Sequence, residues 1–151
     1  MSTFQGFPRA NGQPGIRNHL VILSMCGLNA PGARRVAAAL PDAVLISSPY
    51  GRGQVGADKA FHDHMLLAFA THPNTGAVLI LAPDDALCDG MELKIAATDR
   101  AVAGFSLQRW GEDGTAMTAA AIAEGRRLLE LVQAQRRADC AMSSLVIAAE
   151  C

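Results

Sequence analysis

Residues 77–82 are Ala-Val-Leu-Ile-Leu-Ala, an unbroken apolar run that decides how the rest of the chain is interpreted. A strand with apolar side chains on both faces must be covered on both sides, which is typical of a parallel sheet between helices. Comparable apolar runs occur at His19–Met25, Ala43–Ser48, Ala101–Leu107 and Ser144–Ala149. The sequence therefore predicts five buried strands.

Segments with helical spacing of their apolar residues separate these strands. The predicted helices are Pro31–Leu40, Asp58–His72, Asp85–Thr98 and a long segment from Glu112 to near Arg137. In the second helix Phe61, Met65, Ala68 and Phe69 fall at helical spacing on one face. This β-α-β-α-β-α-β-α-β order predicts a Rossmann-like α/β fold in three layers, with a mostly parallel five-stranded sheet and helices on both faces.

The length of 151 residues corresponds to one domain. We expect residues 1–18, rich in Gly, Pro, Asn and Gln, to be an irregular lead-in, and residues 19–151 to form a single α/β domain. A formal net charge of −1 gives no electrostatic basis for binding nucleic acid or an anionic membrane. No apolar run approaches the roughly 20 residues of a membrane span. These observations predict a soluble, cytoplasmic protein whose cysteines are reduced.

Polar residues follow the predicted strands, at the edge where parallel sheets place their binding sites. The loop Pro49–Asp58 has three glycines in six residues, which let its backbone approach a ligand closely. Helix starts beside it offer N–H groups suited to a carboxylate or sulfonate, and an arginine can clamp such an anion. The residues predicted to bind substrate are Asn29, Tyr50, Arg52, Gln54 and Asp58. The alternative is that they are turn and cap residues without a ligand.

Asp84 and Asp85 follow the third predicted strand and can supply hard oxygen ligands to a divalent metal. The competing interpretation makes Asp84 a helix cap and Asp85 a first-turn acid favoured by the helix dipole. His62 and His64 are two residues apart on a predicted helix, so they point in different directions, and we expect His62 to face water. Cys26 is interpreted as a buried structural thiol, because no histidine follows within its loop.

Five short motifs are distributed in order along the chain. They are Gly6-Phe7-Pro8-Arg9-Ala10-Asn11-Gly12 with Gly15-Ile16-Arg17-Asn18, the loop Pro49–Asp58, His72-Pro73-Asn74-Thr75-Gly76, Gly114-Thr115, and Glu150-Cys151. Together they resemble the altronate/galactarate dehydratase family, which also includes the large subunit of sulfolactate sulfo-lyase. The resemblance implies a hydro-lyase of sugar acids or small 2-hydroxy carboxylates, assisted by iron or manganese. It also implies a remaining lyase region and a small β-rich domain or partner subunit; a homo-oligomer is a further expectation.

The chain departs from this family at its cysteine positions. Leu28 and Arg52 stand where the family has cysteines, and Pro83-Asp84-Asp85-Ala86 replaces a cysteine-containing turn. Aliphatic, cationic and carboxylate groups cannot preserve one soft-ligand metal site. We therefore expect little or no lyase turnover from this chain alone. It is either part of a longer divergent lyase or a degenerate paralogue that keeps the anion-binding loop.

Two other classes of function stay open. A module that docks onto a catalytic partner predicts an exposed apolar patch on the fifth strand. A nucleotide-binding role has weaker support, because the glycines follow the second strand and match a dinucleotide fingerprint only loosely.

Overall fold

The computed structural model describes residues 2–51 and 53–150, which adopt an α/β fold. The strands are β1 (Thr3–Gly6), β2 (His19–Ser24), β3 (Val44–Ser47), β4 (Thr75–Ala82), β5 (Ala101–Ser106) and β6 (Ala138–Ala141). The helices are α1 (Ala30–Ala39), α2 (Gly56–Ala70), α3 (Asp85–Ala96) and α4 (Gly114–Ala134). In the described part of the chain, no helix has both the length and the apolar character needed to cross a membrane.

Strands β2 to β5 form one parallel sheet in the order β3-β2-β4-β5. The chain runs outward from β2 to β3 and then crosses to β4 on the opposite side of β2. The direction of the connections therefore reverses between β2 and β4, and their carboxyl ends flank the crevice in which such sheets bind ligands. The predicted α/β class and the parallel sheet are confirmed.

The central strands are buried on both faces, as their apolar composition requires. Every residue of β4 is buried. On one face the core joins β2 and β4 to α1 and α4, through residues such as Leu20, Leu79, Val36 and Leu128. On the other face it joins the same strands to α2 and α3, through residues such as Val21, Ile80, Leu66 and Ile95.

The fifth parallel strand predicted at Ser144–Ala149 is wrong. The described residues 145–150 contain no helix or strand, and the last strand is β6, which comes earlier. β6 pairs antiparallel with β1 in a separate two-stranded sheet, here called the terminal ribbon. The lead-in therefore contains a strand and is not irregular throughout. An apolar run shows that a segment can be buried but does not specify its neighbour, and Val146 and Ile147 are instead exposed.

The apolar face that helical spacing indicates on α2 is not the face packed against the sheet. Its four residues are exposed: Phe61, Met65, Ala68 and Phe69. The buried positions of α2 are Leu66 and Ala70, which pack against the sheet. Both sets of apolar residues have helical spacing, so periodicity alone could not decide between them. The helix consequently presents apolar side chains to solvent.

Two of the sequence motifs, Gly15-Ile16-Arg17-Asn18 and the segment with Pro73 and Asn74, contact each other at the amino ends of β2 and β4. We call this hydrogen-bonded cluster the amino-edge knot. The side-chain oxygen Oδ1 of Asn74 accepts the backbone N–H groups of Ile16 and Arg17 at 2.9 and 3.0 Å. A Cβ atom on Gly15 would lie only 2.1 Å from the carbonyl oxygen of Pro73. Glycine at this position therefore permits a backbone contact that any side chain would prevent.

Arg9 and Asn18 extend the amino-edge knot to the end of α4. Arg9 donates from Nε to the carbonyl oxygen of Pro73 at 2.8 Å and from Nη2 to Oδ1 of Asn18 at 2.7 Å. Asn18 in turn donates from Nδ2 to the carbonyl oxygen of Val132 at 2.8 Å. These motif residues thus join the lead-in, the start of the sheet and α4, at the opposite end of the sheet from its carboxyl edge.

Candidate functional site

A cavity of about 250 Å³ opens at the carboxyl ends of β2 and β4. We call it the switch-point pocket, because it lies where the direction of the strand connections reverses. Its polar lining consists of Gln54, Lys59, His62, Asp63 and Asp84. Its position agrees with the edge of the sheet that the sequence predicts for ligand binding.

The first turns of α2 supply a charged network to this pocket. Lys59 Nζ lies 2.5 Å from Asp63 Oδ2, and His62 Nδ1 lies 3.5 Å from Asp63 Oδ1. Burial favours a higher pKa for Asp63, but the hydrogen bonds and charges of Lys59 and His62 outweigh it and hold that pKa below its usual value. The carboxylate therefore stays ionised and fixes an ammonium and an imidazole at the pocket wall.

His62 also contacts the end of β3. Its Nε2 lies 2.8 Å from Oγ of Ser48, which is buried. The expectation that His62 faces water is wrong, because its side chain is only 15% exposed. Sequence reasoning missed this contact with Ser48, whereas the four-residue spacing of Lys59 and Asp63 was a signal that could have revealed part of the network.

The glycine-rich loop brings two predicted residues to this region. Gln54 lines the pocket, and the exposed Tyr50 ring stands edge-on to His62 with centroids 6.1 Å apart. The carbonyl oxygen of Tyr50 accepts the N–H of Gly27 at 2.8 Å, which ties the loop to the turn after β2. Tyr50 and Gln54 therefore share one edge of the sheet with the network on α2.

The other residues predicted to bind substrate are placed differently. Asn29 is buried; its Nδ2 donates to the carbonyl oxygen of Ala82 at 3.0 Å, and its Oδ1 accepts the Cys26 thiol at 3.2 Å. These bonds employ both ends of the amide to hold the turn after β2 against the end of β4. Asp58 is exposed in the first turn of α2, and Arg52 lies outside the described residues. Ligand contacts of these three residues stay predictions.

The two predicted metal ligands contact different neighbours. Asp84 caps α3 by accepting the N–H of Leu87 at 2.9 Å, whereas Asp85 contacts Oγ of Ser106 and lies 3.4 Å from Arg109 Nε. A guanidinium beside Asp85 opposes the binding of a cation. Within residues 2–51 and 53–150, neither aspartate belongs to a group of three or more clustered ligand atoms. Asp84 and Asp85 therefore do not fit the iron or manganese site that the resemblance implies.

A different group, on α3, does bring metal-ligand atoms together. Cys88, Asp89 and Glu92 have ligand atoms within 4.8 Å of one another. Burial, followed by repulsion from Glu92, raises the pKa of the Cys88 thiol to about 12. A thiol must lose its proton to ligate a metal, and Asp89 is already paired with Arg109 at 2.8 Å. This cluster is therefore a poor donor set for a transition metal.

We expect the Cys88 thiol to resist alkylation by iodoacetamide at about pH 8 in the folded protein, because the thiolate is the reactive form. Mass spectrometry of peptides labelled with and without denaturant measures this directly. Because the pKa of Cys88 is higher in the folded than in the unfolded protein, its protonated thiol contributes fully to stability below the unfolded-state pKa. This contribution is progressively lost as the pH rises towards about 12. Labelling of Cys88 in native buffer as fast as in denaturant would contradict the assignment.

Comparison with known proteins adds to this geometry. Residues 6–133 match the family described as D-galactarate dehydratase/Altronate hydrolase, second domain. The chain belongs to this family. The resemblance found in the motifs is thus confirmed, and the matched residues include the switch-point pocket and the amino-edge knot.

Two curated proteins resemble this chain along nearly its whole length. The chain is 30% identical over 149 residues to (2R)-sulfolactate sulfo-lyase subunit beta of Chromohalobacter salexigens, covering 99% of this chain and 38% of that protein. It is 28% identical over 163 residues to altronate dehydratase of Bacillus subtilis strain 168, covering 99% of this chain and 32% of that protein. The chain therefore spans about a third of the length of the curated relatives it matches. No solved structure shows a significant match.

Proposed function

We propose that this chain is a domain of a lyase that acts on sugar acids or small 2-hydroxy carboxylates, and that it binds the ligand's acid group in the switch-point pocket. The names of its two relatives, an altronate dehydratase and a sulfolactate sulfo-lyase, support this class of anionic substrate. The observation that carries the proposal is the ammonium of Lys59 at the wall of a pocket between parallel strand ends.

Several groups are suited to hold a carboxylate or sulfonate there. The ammonium of Lys59 has three donors, of which Asp63 occupies one, and the amide of Gln54 adds a donor from the loop. The residue that caps α2, Val55, makes no side-chain cap hydrogen bond. The first-turn N–H groups of α2 are then suited to an anion, which the helix dipole also favours.

His62 is our candidate for moving a proton. An imidazole can accept a proton at one nitrogen while a hydrogen bond at the other fixes its orientation. Ser48 lies at one ring nitrogen of His62 and Asp63 near the other. Because both ring nitrogens face protein groups, a ligand proton would reach His62 through the Ser48 hydroxyl. This hydroxyl gives its own proton to Nε2 as it accepts one, while Asp63 holds Nδ1–H.

We further propose that the chain alone gives little or no lyase turnover. The contacts of Asp84 with Leu87 and of Asp85 with Arg109 support this, because they occupy carboxylates that an iron or manganese site would need. The sulfolactate relative is named as a subunit of its enzyme, which supports the proposal that this domain works with further protein regions. The second candidate, a degenerate anion-binding module of the same fold, is favoured by the divergence of Asp84 and Asp85.

Replacing Lys59 by methionine is expected to weaken the binding of sulfolactate and altronate by about 10-fold, because a positive charge is removed from the pocket. Isothermal titration calorimetry on the full chain measures the dissociation constants. Lys94→Met is the matched control, since Lys94 is exposed in the last turn of α3, and it should bind like the unchanged protein. Equal affinities for both variants would refute the role of Lys59, and no binding of either acid by the unchanged chain would refute the proposed ligand class.

A further inference from the structure

The exposed face of α2 carries a row of apolar residues. Phe61, Met65 and Phe69 are 67%, 36% and 44% exposed. Their spacing of four residues places them on one side of the helix. Asp58 lies three residues before Phe61, and His72, two residues beyond the helix, lines one surface groove together with Phe69; both Asp58 and His72 are exposed. We call these five residues the α2 stripe.

The α2 stripe is chemically symmetric about Met65. Phe61 and Phe69 lie four residues to either side of it, and Asp58 and His72 lie seven residues to either side. Two antiparallel copies of α2 that cross at Met65 would set each Phe61 against the other copy's Phe69. They would also set each Asp58 against the other copy's His72. A two-fold dimer requires this kind of self-complementary surface.

The side chain of His72 is suited to such a contact. Its Nδ1 accepts the backbone N–H of Asn74 at 3.1 Å. The neutral ring therefore carries its proton on Nε2, where it can donate to a carboxylate such as that of Asp58 in a second copy.

A groove of about 310 Å³ lies beside Phe69, next to the amino end of β3. Its apolar walls include Val21, Val44 and Ile46. In the antiparallel arrangement, Phe61 of a second copy faces this groove. The two-fold axis of such a dimer thus brings Phe61, the most exposed phenylalanine of the stripe, to the apolar groove of the other copy.

The groove also joins the α2 stripe to the edge of the sheet. β3 is an outer strand of the four-stranded sheet and pairs only with β2 among the described strands. Outer strands next to exposed apolar surface are natural sites of association. One partner can therefore cover the helix face and the sheet edge together.

We propose that the α2 stripe, with the groove beside β3, binds a second copy of this chain in a two-fold symmetric dimer. The symmetry of the stripe favours a second copy over an unrelated protein segment. An unrelated segment would not require Asp58 and His72 to lie at equal distances from Met65. The dimer does not depend on the ligand bound in the switch-point pocket.

Light scattering of the full chain, at concentrations up to roughly 1 mM, tests the proposal first. The unchanged protein is expected to dimerise, and Met65→Glu to weaken the dimer at least about 100-fold, because two carboxylates then face each other on the axis. Leu93→Glu is the matched control: Leu93 is 74% exposed on a different helix, α3, and its replacement should leave the dimer unchanged. Circular dichroism establishes that each variant is folded.

A charge exchange tests the antiparallel geometry. Asp58→Lys and His72→Asp are each expected to weaken the dimer by about 10-fold, and the double variant to recover most of this loss, because a lysine and an aspartate then form an ion pair in place of the original acid–imidazole hydrogen bond. A monomer at every concentration overturns the proposal and assigns the stripe to another protein. A dimer unaffected by Met65→Glu, or a double variant weaker than both single variants, overturns it as well.

Discussion

Replacement of Gly15 by alanine is expected to lower the free energy of unfolding by about 3 kcal/mol, because the added methyl group overpacks the amino-edge knot. The new Cβ would lie 2.1 Å from the carbonyl oxygen of Pro73 and 2.7 Å from its carbonyl carbon. These backbone atoms cannot rotate away, and Arg9 holds the same carbonyl by a hydrogen bond of 2.8 Å. Urea unfolding followed by circular dichroism measures the change as a shift of the midpoint.

Gly90→Ala is the matched control for this prediction. Gly90 lies within α3, and no atom would come within 4 Å of an added Cβ. Because alanine has the better helix propensity, this variant should be stabilised by up to about 1 kcal/mol. If Gly15→Ala unfolded at the same urea concentration as the unchanged protein, the close backbone contact at Pro73 would be incorrect.

Replacement of Arg100 by methionine is expected to cost about 2–3 kcal/mol of stability, because buried carbonyl groups would lose their donor. Arg100 is 6% exposed and donates from Nε to the carbonyl oxygen of Thr75 at 3.2 Å. Its Nη2 donates to the carbonyl oxygens of Thr71 and His72 at 2.7 and 3.2 Å. Burial lowers the pKa of this guanidinium, and the negative end of the α2 dipole helps to keep it charged. Urea unfolding again measures the loss.

Two variants separate charge from hydrogen bonding at this position. Arg100→Lys keeps the positive charge but has one nitrogen in place of three, so it should recover only part of the loss. Arg136→Met removes an exposed guanidinium with a bond to the carbonyl oxygen of Gln133 and should change stability by less than about 0.5 kcal/mol. Similar losses for Arg100→Met and Arg136→Met would show that the buried hydrogen bonds of Arg100 have little effect.

The sequence predicted the elements of the parallel sheet because their information is local. Each central strand is apolar on both faces, and β2, β3, β4 and β5 lie within two residues of their predicted ends. The partner of a strand is not local information. The apolar run at Ser144–Ala149 therefore suggested a fifth strand, while the less apolar β6 pairs with β1 instead.

The orientation of one helix explains most of what was missed at the candidate site. Two sets of apolar residues on α2 have helical spacing, and the sequence pattern singles out the set that is exposed rather than the set that packs against the sheet. Turning the helix so that Leu66 is buried exposes Phe61 and also brings His62 to Ser48. The rotation of α2 about its axis depends on packing against the sheet, which periodicity does not determine. The network in the switch-point pocket therefore could not be derived, although the loop beside it was.

The terminal ribbon has a mechanical consequence. β1 and β6 are antiparallel, with Thr3 opposite Ala141 and Gly6 opposite Ala138. Residues 2 and 142 lie at the same end of the ribbon, so a force that pulls them apart acts on one residue pair at a time. The four pairs would therefore open in sequence before any load reached the parallel sheet. The first resistance of this domain to stretching is therefore set by the short ribbon, whose residue pairs open one at a time, while the buried sheet stays intact.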